Sequence, residues 1–426
     1  MKISMVSEHA SPLAALGGID AGGQNVHVAS LSAALARRGH HVTVYTRRDA
    51  EDLAARVRVA PCLEVVHVEA GPPRHVPKDE LLPFIGELAD GIARDWEKRP
   101  PEVVHGHFWM SGLASLDASR QLAHGGHRIP VVQTFHALGT VKRRHQGNAD
   151  TSPPERRWLE PSVGRSADRV IATCSDEVFE LKAMGVAPER ISIAPCGVDL
   201  RLFSGTGARS PRNRGHRILS VGRLVPRKGV EIVIRSLPAL RDEGFDDVEL
   251  LIVGGAGDAA ATETDAEARR LLAVAAELGV REQVTFLGQV PRNAMPGIFL
   301  SADAVVCTPW YEPFGIVPLE AMASGIPVVA AAVGGLRDTV VNQVTGLLVP
   351  PQDPAATAAA LARLLADPGL GRQLGRAGQQ RARARYSWDR VAAETEHAYR
   401  ETLRTSARHS GRAARGQFQR VEGAAL

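Results

Sequence analysis

Four charged residues in the second half of the chain have the types and spacing to hold a diphosphate and a polyol. Arg223 and Lys228 bracket the loop of "VGRLVPRKGV", and Glu312 and Glu320 frame "EPFGIVPLEA", with no other charge between them. Free amides at a helix N-terminus attract phosphate. Two cations beside such a helix start can stabilise a diphosphate, including one that gains charge as it leaves. A solvated basic loop is the plainer reading of that pair. A buried apolar segment does not carry uncompensated carboxylates, so Glu312 and Glu320 need partners. Carboxylates accept hydrogen bonds from hydroxyls, which a ribose or hexose supplies. Favourable charge at a helix N-terminus accounts for Glu320 alone; it leaves Glu312 and the adjacent Gly315 unexplained.

Further candidates lie in the first half. In "GGIDAGGQNVHV" the pair Gly22–Gly23 directly precedes a helical pattern, where glycine lets backbone amides approach an anion. This is no dinucleotide fingerprint, because too many residues separate it from the first strand. "GGAGDAA" at Gly254 lacks the third glycine, which disfavours a nicotinamide dehydrogenase. His105 and His107 end one strand and His136 follows another; alternation puts the first two on one face, so a metal is conceivable, but zinc needs three or four convergent ligands. No Asp-x-Asp occurs, so Mg2+ on a nucleotide diphosphate has no evident seat.

The elements that must position these groups alternate regularly. Apolar runs at 3–6, 41–45, 63–68, 103–105, 130–134, 170–173 and 191–194 read as strands, and 24–38 as a helix burying Val28, Leu31 and Leu35. The Gly-, Ser-, Pro- and Arg-rich stretch 204–217 reads as a linker. The rhythm restarts with strands at 218–221, 249–253, 284–287, 304–307, 327–330 and 346–349, and helices at 230–241, 265–278 and 355–365. Continuous apolar strands alternating with helices imply parallel sheets covered on both faces. The expected class is therefore α/β, with two doubly wound Rossmann-like domains, 1–203 and 218–385, facing across a cleft. A helical segment from 386 is expected to cross back to the first domain and end in a basic tail at 426. Ligands of such sheets bind beyond the carboxyl ends of strands.

The totals narrow the function classes. The chain has 426 residues, 44% of them hydrophobic, and a net charge of +4. The last 27 residues carry six arginines against two glutamates, so that excess lies in the tail, which reads as a frayed, solvated terminus. No basic stripe interleaves with aromatics, which argues against nucleic acid. Cys62, Cys174, Cys196 and Cys307 form no Cys-x-x-Cys pair and read as free thiols of a reducing compartment. No apolar run suits a membrane span or leader. A cytoplasmic chain with no integral membrane association is expected; a homodimer is left open.

Together "GGQNVHV", "HGHFWMSG", "QTFHALGTVK", "GVDLRLF", "GRLVPRKGV" and "EPFGIVPLEAMASGIPVVA" resemble glycosyltransferase family 4, retaining enzymes of GT-B fold, over nearly the whole chain. The branch is that of sucrose-phosphate synthases and the inositol-phosphate N-acetylglucosaminyltransferases of mycothiol synthesis. The resemblance implies a nucleotide-diphosphate sugar donor, UDP-linked by branch habit with GDP open, and no required cofactor or Mg2+. Arg223 and Lys228 would bind the diphosphate, with Gly22 and Gly23 assisting and Arg292 completing the donor side. Glu320 would hold the ribose, Glu312 the sugar, and Phe314, Gly315 and Ile316 would line sugar and phosphate through their amides. His136 would contact the sugar near the reaction centre; since the departing phosphate oxygen is held to take the acceptor's proton, His136 is not cast as a base.

On the acceptor side the resemblance implies Asn25, Lys78, Thr134 and either Arg156 or Arg157. Phe108 replaces a tyrosine and Ala137 a threonine of the inositol-phosphate enzymes. Two polar groups are thus missing, which favours a changed, small polar acceptor, including an unphosphorylated or natural-product molecule. Antibiotic or thiol-metabolite tailoring is the runner-up. From other classes, a nucleotide-sugar epimerase or hydrolase would turn over donor alone, and a sensor would bind donor without consuming it.

Overall fold

The computed structural model describes residues 1–13, 22–123, 128–255, 257–262 and 264–422, the side chains of 149, 259, 262 and 409–422 excepted. Residues 17–21 of the first glycine-rich stretch and the side chains of Arg412, Arg415 and Arg420 therefore lie outside the description.

Two sheets carry the chain. The first comprises β1 (Lys2–Val6), β2 (His41–Arg47), β3 (Arg56–Ala60), β4 (Leu63–Val68), β5 (Val103–His107), β6 (Val131–Thr134), β7 (Arg169–Ala172) and β8 (Ile191–Ile193). Its order is β3-β4-β2-β1-β5-β6-β7-β8, parallel except where β3 pairs antiparallel with β4. β3 is the strand that the alternation of apolar runs does not reveal. It reads Arg-Val-Arg-Val-Ala, lies at the sheet edge and is half exposed, so it needs no continuous apolar run.

The second sheet comprises β9 (His216–Val221), β10 (Val248–Val253), β11 (Val284–Gly288), β12 (Ala304–Cys307), β13 (Val328–Ala331) and β14 (Leu347–Val349), in the all-parallel order β11-β10-β9-β12-β13-β14. Chain order reverses on either side of β1 and of β9. Such switch points open a crevice where neighbouring loops diverge. β9 and β12 are neighbours, with Leu219 opposite Val305; carrying that register forward sets Val221 opposite Cys307. The loops with Arg223–Lys228 and with Glu312 thus leave the sheet side by side.

The expected faces are buried: Val28, Leu31 and Leu35 of the helix Gly23–Arg37 pack with Ile3, Met5, Val42 and Val44. The segment expected to be helical from 386 forms one helix, Trp388–Glu422. Its Val391, Ala392, Ala398 and Tyr399 enter that same first-sheet cluster. Arg37 pairs with Asp389 at 3.0 Å and Arg38 with Glu396 at 2.7 Å, so the helix does cross back. All four cysteines are free, two buried and two half-buried. No described helix is long and apolar enough to cross a membrane.

Candidate active site

The donor half is built where β9 and β12 end. After β9 the chain makes a turn at Pro226–Lys228 and enters the helix Val230–Asp242 through Gly229. Gly229 has φ +71°, and a Cβ there would lie 1.8 Å from the Thr308 carbonyl oxygen. Only glycine allows that approach. The Thr308 hydroxyl donates to the Gly229 carbonyl at 2.9 Å, and the Trp310 amide to the Arg227 carbonyl at 2.9 Å. The basic loop and the acidic loop are thereby stitched together.

That stitching brings Lys228 Nζ to 2.5 Å from Glu312 Oε2. Burial pushes the Glu312 carboxyl up, but Lys228, Arg227 and the Phe314 amide outweigh it and hold the group below its ordinary value. Arg223, in the same loop as Lys228, is exposed and repels Arg227. Gly315 follows at φ +70° and caps the helix Ile316–Ala323. Pro318 sits in its first turn, where the missing N–H costs nothing. Glu320, buried in the same helix, lies 3.1 Å from an Arg292 guanidinium nitrogen, without the alignment of a hydrogen bond. Burial pushes its carboxyl up to about 7, Arg292 offsetting part of this and Asp199 adding to it. Arg292 also stands over the Phe203 ring at 5.5 Å. Each acid thus has its own cation.

The first-domain half faces these loops. Gly22 caps the helix Gly23–Arg37, and its amide donates to Asn25 Oδ1 at 3.3 Å while Asn25 Nδ2 donates to the Ser11 carbonyl at 3.2 Å. Both arms of the Asn25 amide are thus used within the protein. A Cβ on Gly23 would come within 3.2 Å of Ile316 and 3.6 Å of Phe314, so the helix start abuts the acidic loop. The Phe314 ring lies 5.3 Å from the ring of His136, a buried residue held at φ +62°. A non-glycine residue in that region is strained, and such strain gathers at functional sites.

His136 belongs to a buried group of four histidines with His27, His105 and His107. His136 Nε2 lies 2.9 Å from His107 Nδ1, and the ring of His107 is 4.0 Å from that of His105. His105 reaches the Tyr399 hydroxyl at 2.7 Å and the Thr134 hydroxyl at 2.9 Å, and Thr134 donates to the Ile171 carbonyl at 3.1 Å. Burial lowers His27 to about 4 and His105 to about 3, and takes His107 and His136 well below the usual histidine range, neighbouring histidines adding to the effect in the last three. All four are neutral imidazoles at pH 7. Among the described residues no His, Cys, Asp or Glu group gathers as a metal site.

Of the acceptor candidates, the structure separates the two arginines. Arg157 is exposed, whereas Arg156 is buried with Glu160 at 2.8 Å, donates to the Ala137 carbonyl at 2.5 Å and to Ser152 at 3.2 Å, and lies over the Phe108 ring at 5.0 Å. Lys78 is exposed, yet the loss of water around it, with Lys142, Arg223 and Arg156 adding repulsion, lowers its ammonium from the usual value. These cations of both halves therefore share one electrostatic neighbourhood. Lys142 is itself paired with Asp150 at 2.8 Å. Thr134 is buried and consumed by His105 and Ile171, so it is no open hydroxyl. Sequence reasoning missed Arg227, His27 and Tyr399; "GGQNVHV" and "RKGV" contained the first two, but nothing local marks Tyr399.

A family model for glycosyltransferase family 4 matches residues 21–202, and one for glycosyl transferases group 1 matches residues 209–381. The D-inositol 3-phosphate glycosyltransferase of Acidothermus cellulolyticus is 37% identical over 94% of this chain and 90% of its own. The sucrose-phosphate synthase structure from Thermosynechococcus elongatus superposes with a TM-score of 0.82 at 31% identity, covering 95% of this chain and 100% of that one. Anabaena HepE in complex with UDP-glucose shares the fold, with a TM-score of 0.70 at 20% identity over 95% of this chain and 100% of that one. The chain is therefore a glycosyltransferase and belongs to glycosyltransferase family 4, with the two-domain GT-B fold.

Proposed function

We propose that the chain moves a sugar from a UDP-linked donor to a small polar acceptor, with retention at the anomeric carbon and no required metal ion. The observation that carries this reading is the Lys228–Glu312 pair at the joined ends of β9 and β12, with Arg223 in the same loop as Lys228. A diphosphate entering between Arg223 and Lys228 draws Lys228 from Glu312 and leaves that carboxylate to accept hydrogen bonds from sugar hydroxyls. Glu320, released in part from Arg292, accepts from the ribose. The bond from the anomeric carbon to the phosphate oxygen breaks as the bond to the acceptor forms on the same face. The acceptor's proton passes to that phosphate oxygen, and the two cations stabilise the departing UDP. His136 stays neutral and offers a hydrogen bond.

The acceptor side supports a less phosphorylated molecule than inositol 3-phosphate. Arg156 spends its donors within the protein, Phe108 has no hydroxyl, Thr134 is consumed, and Lys78 remains. The same features favour a second reading, tailoring of a natural-product acceptor with a UDP- or GDP-sugar.

Calorimetric titration with UDP, GDP and ADP, with EDTA and then with Mg2+, tests the donor side. UDP is expected to bind without metal. Incubation with UDP-sugars and either inositol or inositol 3-phosphate, followed by mass spectrometry and anomeric-proton NMR, tests the acceptor side. Absence of nucleotide binding overturns the donor assignment. Donor consumed without acceptor points to a hydrolase or epimerase, and donor bound but never consumed to a sensor.

A further inference from the structure

Strand β1 ends at the switch point of the first sheet, and the residues after it border the crevice in which ligands of such sheets lie. Glu8 and His9 stand there. Glu8 is only 2% exposed, and both of its carboxylate oxygens are engaged. The Ser111 hydroxyl donates to Oε2, while the Glu8 amide donates to Ser111 Oγ at 3.0 Å. Ser111 sits in the first turn of the 15-residue helix Trp109–Ala123, whose N-terminus favours negative charge. The other oxygen, Oε1, lies 2.8 Å from His9 Nδ1. Imidazole is the stronger base of the two groups, so the hydrogen of this contact belongs to His9 Nδ1, whether the ring as a whole is neutral or charged. Only Nε2 is then left for a ligand, and among the described residues nothing hydrogen-bonds to it. The His9 side chain is 22% exposed. Its ring meets Phe108 edge-on at 5.1 Å, and Phe108 is held at φ +83° beneath the Arg156 guanidinium. His9 also lies within the field of His136, which burial first, and then His27, His105 and His9, take below the usual histidine range. His9 therefore neighbours both the acceptor position at Phe108 and the histidine expected near the sugar.

We infer that Glu8 is a positioning residue for the acceptor: it holds His9 through Nδ1–H and leaves Nε2 open to a hydroxyl of the acceptor beside Phe108. A hydroxyl both gives and takes a hydrogen bond, so it pairs with Nε2 in either protonation state of the ring. The pair thereby returns a polar contact to a pocket in which the Phe108 and Ala137 side chains offer none. The inference rests on the acceptor reading above for the identity of that hydroxyl, but the hydrogen on Nδ1 does not.

Two measurements on the full chain test this. Histidine side chains labelled with 15N report the ring hydrogens directly, with the His9 signals assigned by their loss in His9→Gln. Hydrogen on Nδ1 is expected in the wild type, and its transfer to Nε2, the tautomer imidazole prefers in water, in Glu8→Leu. A bare Nδ1 in the wild type, or an unchanged His9 in Glu8→Leu, overturns the proposal whatever the activity. In turnover with UDP-sugar and whichever of inositol and inositol 3-phosphate the wild type accepts, Glu8→Leu is expected to raise the acceptor KM roughly tenfold, the worth of one hydrogen bond, with UDP affinity unchanged. Glu8→Gln, whose amide oxygen still accepts from Nδ1–H, is expected to recover most of it. Because Glu8 acts through His9, Glu8→Leu with His9→Gln should lose no more than His9→Gln alone. Additive losses, or equal losses in Glu8→Leu and Glu8→Gln with weakened UDP binding, assign Glu8 a merely structural role and overturn the proposal, as does a wild-type acceptor KM in Glu8→Leu. If the wild-type chain glycosylates neither compound, the acceptor reading fails while the 15N comparison still decides whether Glu8 fixes His9.

Discussion

Lys228 and Glu312 meet as an ion pair at 2.5 Å across the ends of two neighbouring strands, although 84 positions separate them in the chain. Glu312 keeps its charge in a half-buried place because Lys228 is there, and Lys228 is aimed because Glu312 is there. The pair is a charged socket whose two halves are separately useful to a diphosphate and to a sugar.

Removal of Lys228 should be felt twice. Lys228→Ala takes away a charge at the leaving group and strands the Glu312 carboxylate, so kcat is expected to fall 10-fold or more. Glu312→Gln in the same background relieves the stranded charge, and the double variant should lose less than the two singles combined. Steady-state kinetics on the cycle check this; near-wild-type turnover in Lys228→Ala removes that residue from the diphosphate site.

Glu320 ties stability to pH. Its folded-state pKa of about 7 lies above the ordinary 4.5, so its proton is held more tightly in the folded chain. Its contribution is full below the ordinary value and is lost as pH rises through the folded one, a change of roughly 3 kcal/mol at most. Glu320→Gln lacks that loss. The Tm of the variant relative to wild type is expected to rise between pH 5 and pH 8, read by thermal unfolding without nucleotide. UDP affinity of Glu320→Ala should fall; an unchanged dissociation constant ends the ribose assignment.

Gly229→Ala forces a Cβ onto the Thr308 carbonyl and a side chain onto a left-handed backbone. A cost of about 2 kcal/mol or more is expected, with weaker UDP binding as the basic loop moves. Unfolding midpoints and calorimetry measure both, and a silent substitution shows that the loop is not held as described.

Asp338 reaches from the second domain to Ser175 of the first, accepting from its amide and its hydroxyl at 2.6 Å each. It thereby caps the helix Ser175–Ala183 from across the cleft. Asp338→Ala should cost about 1 kcal/mol of cap energy and favour an open cleft. A larger radius of gyration by small-angle scattering and a donor KM raised several-fold are expected. Unchanged scattering and KM leave the contact without a part in closure.

The sequence announced the architecture because continuous apolar strands leave a local signature. Leu63–Val68 and Ala304–Cys307 appear at their expected limits, while β3 is missing because an edge strand needs no such run. The glycosyltransferase membership was legible from ordered motifs. The assignments of individual residues to donor and acceptor are another matter, and await the substitutions above. What stayed hidden is partnership over distance. Thr134 reads as an available hydroxyl until His105 and Ile171 are seen to consume it, and Arg156 as an available cation until Glu160 and Ala137 are seen around it. Local spacing encodes which face a residue takes, not which distant group arrives there.

The return of the last helix to the first sheet has a consequence for synthesis. Strands β1 to β8 leave the ribosome early, but Val391, Ala398 and Tyr399, which fill their outer face and complete His105, emerge after the whole second domain. The amino-terminal half must wait with an apolar surface uncovered while its neighbour is made, in contrast to the usual order in which the first domain finishes first. Nascent chains halted before Trp388 should therefore bind chaperones through the half that was translated first.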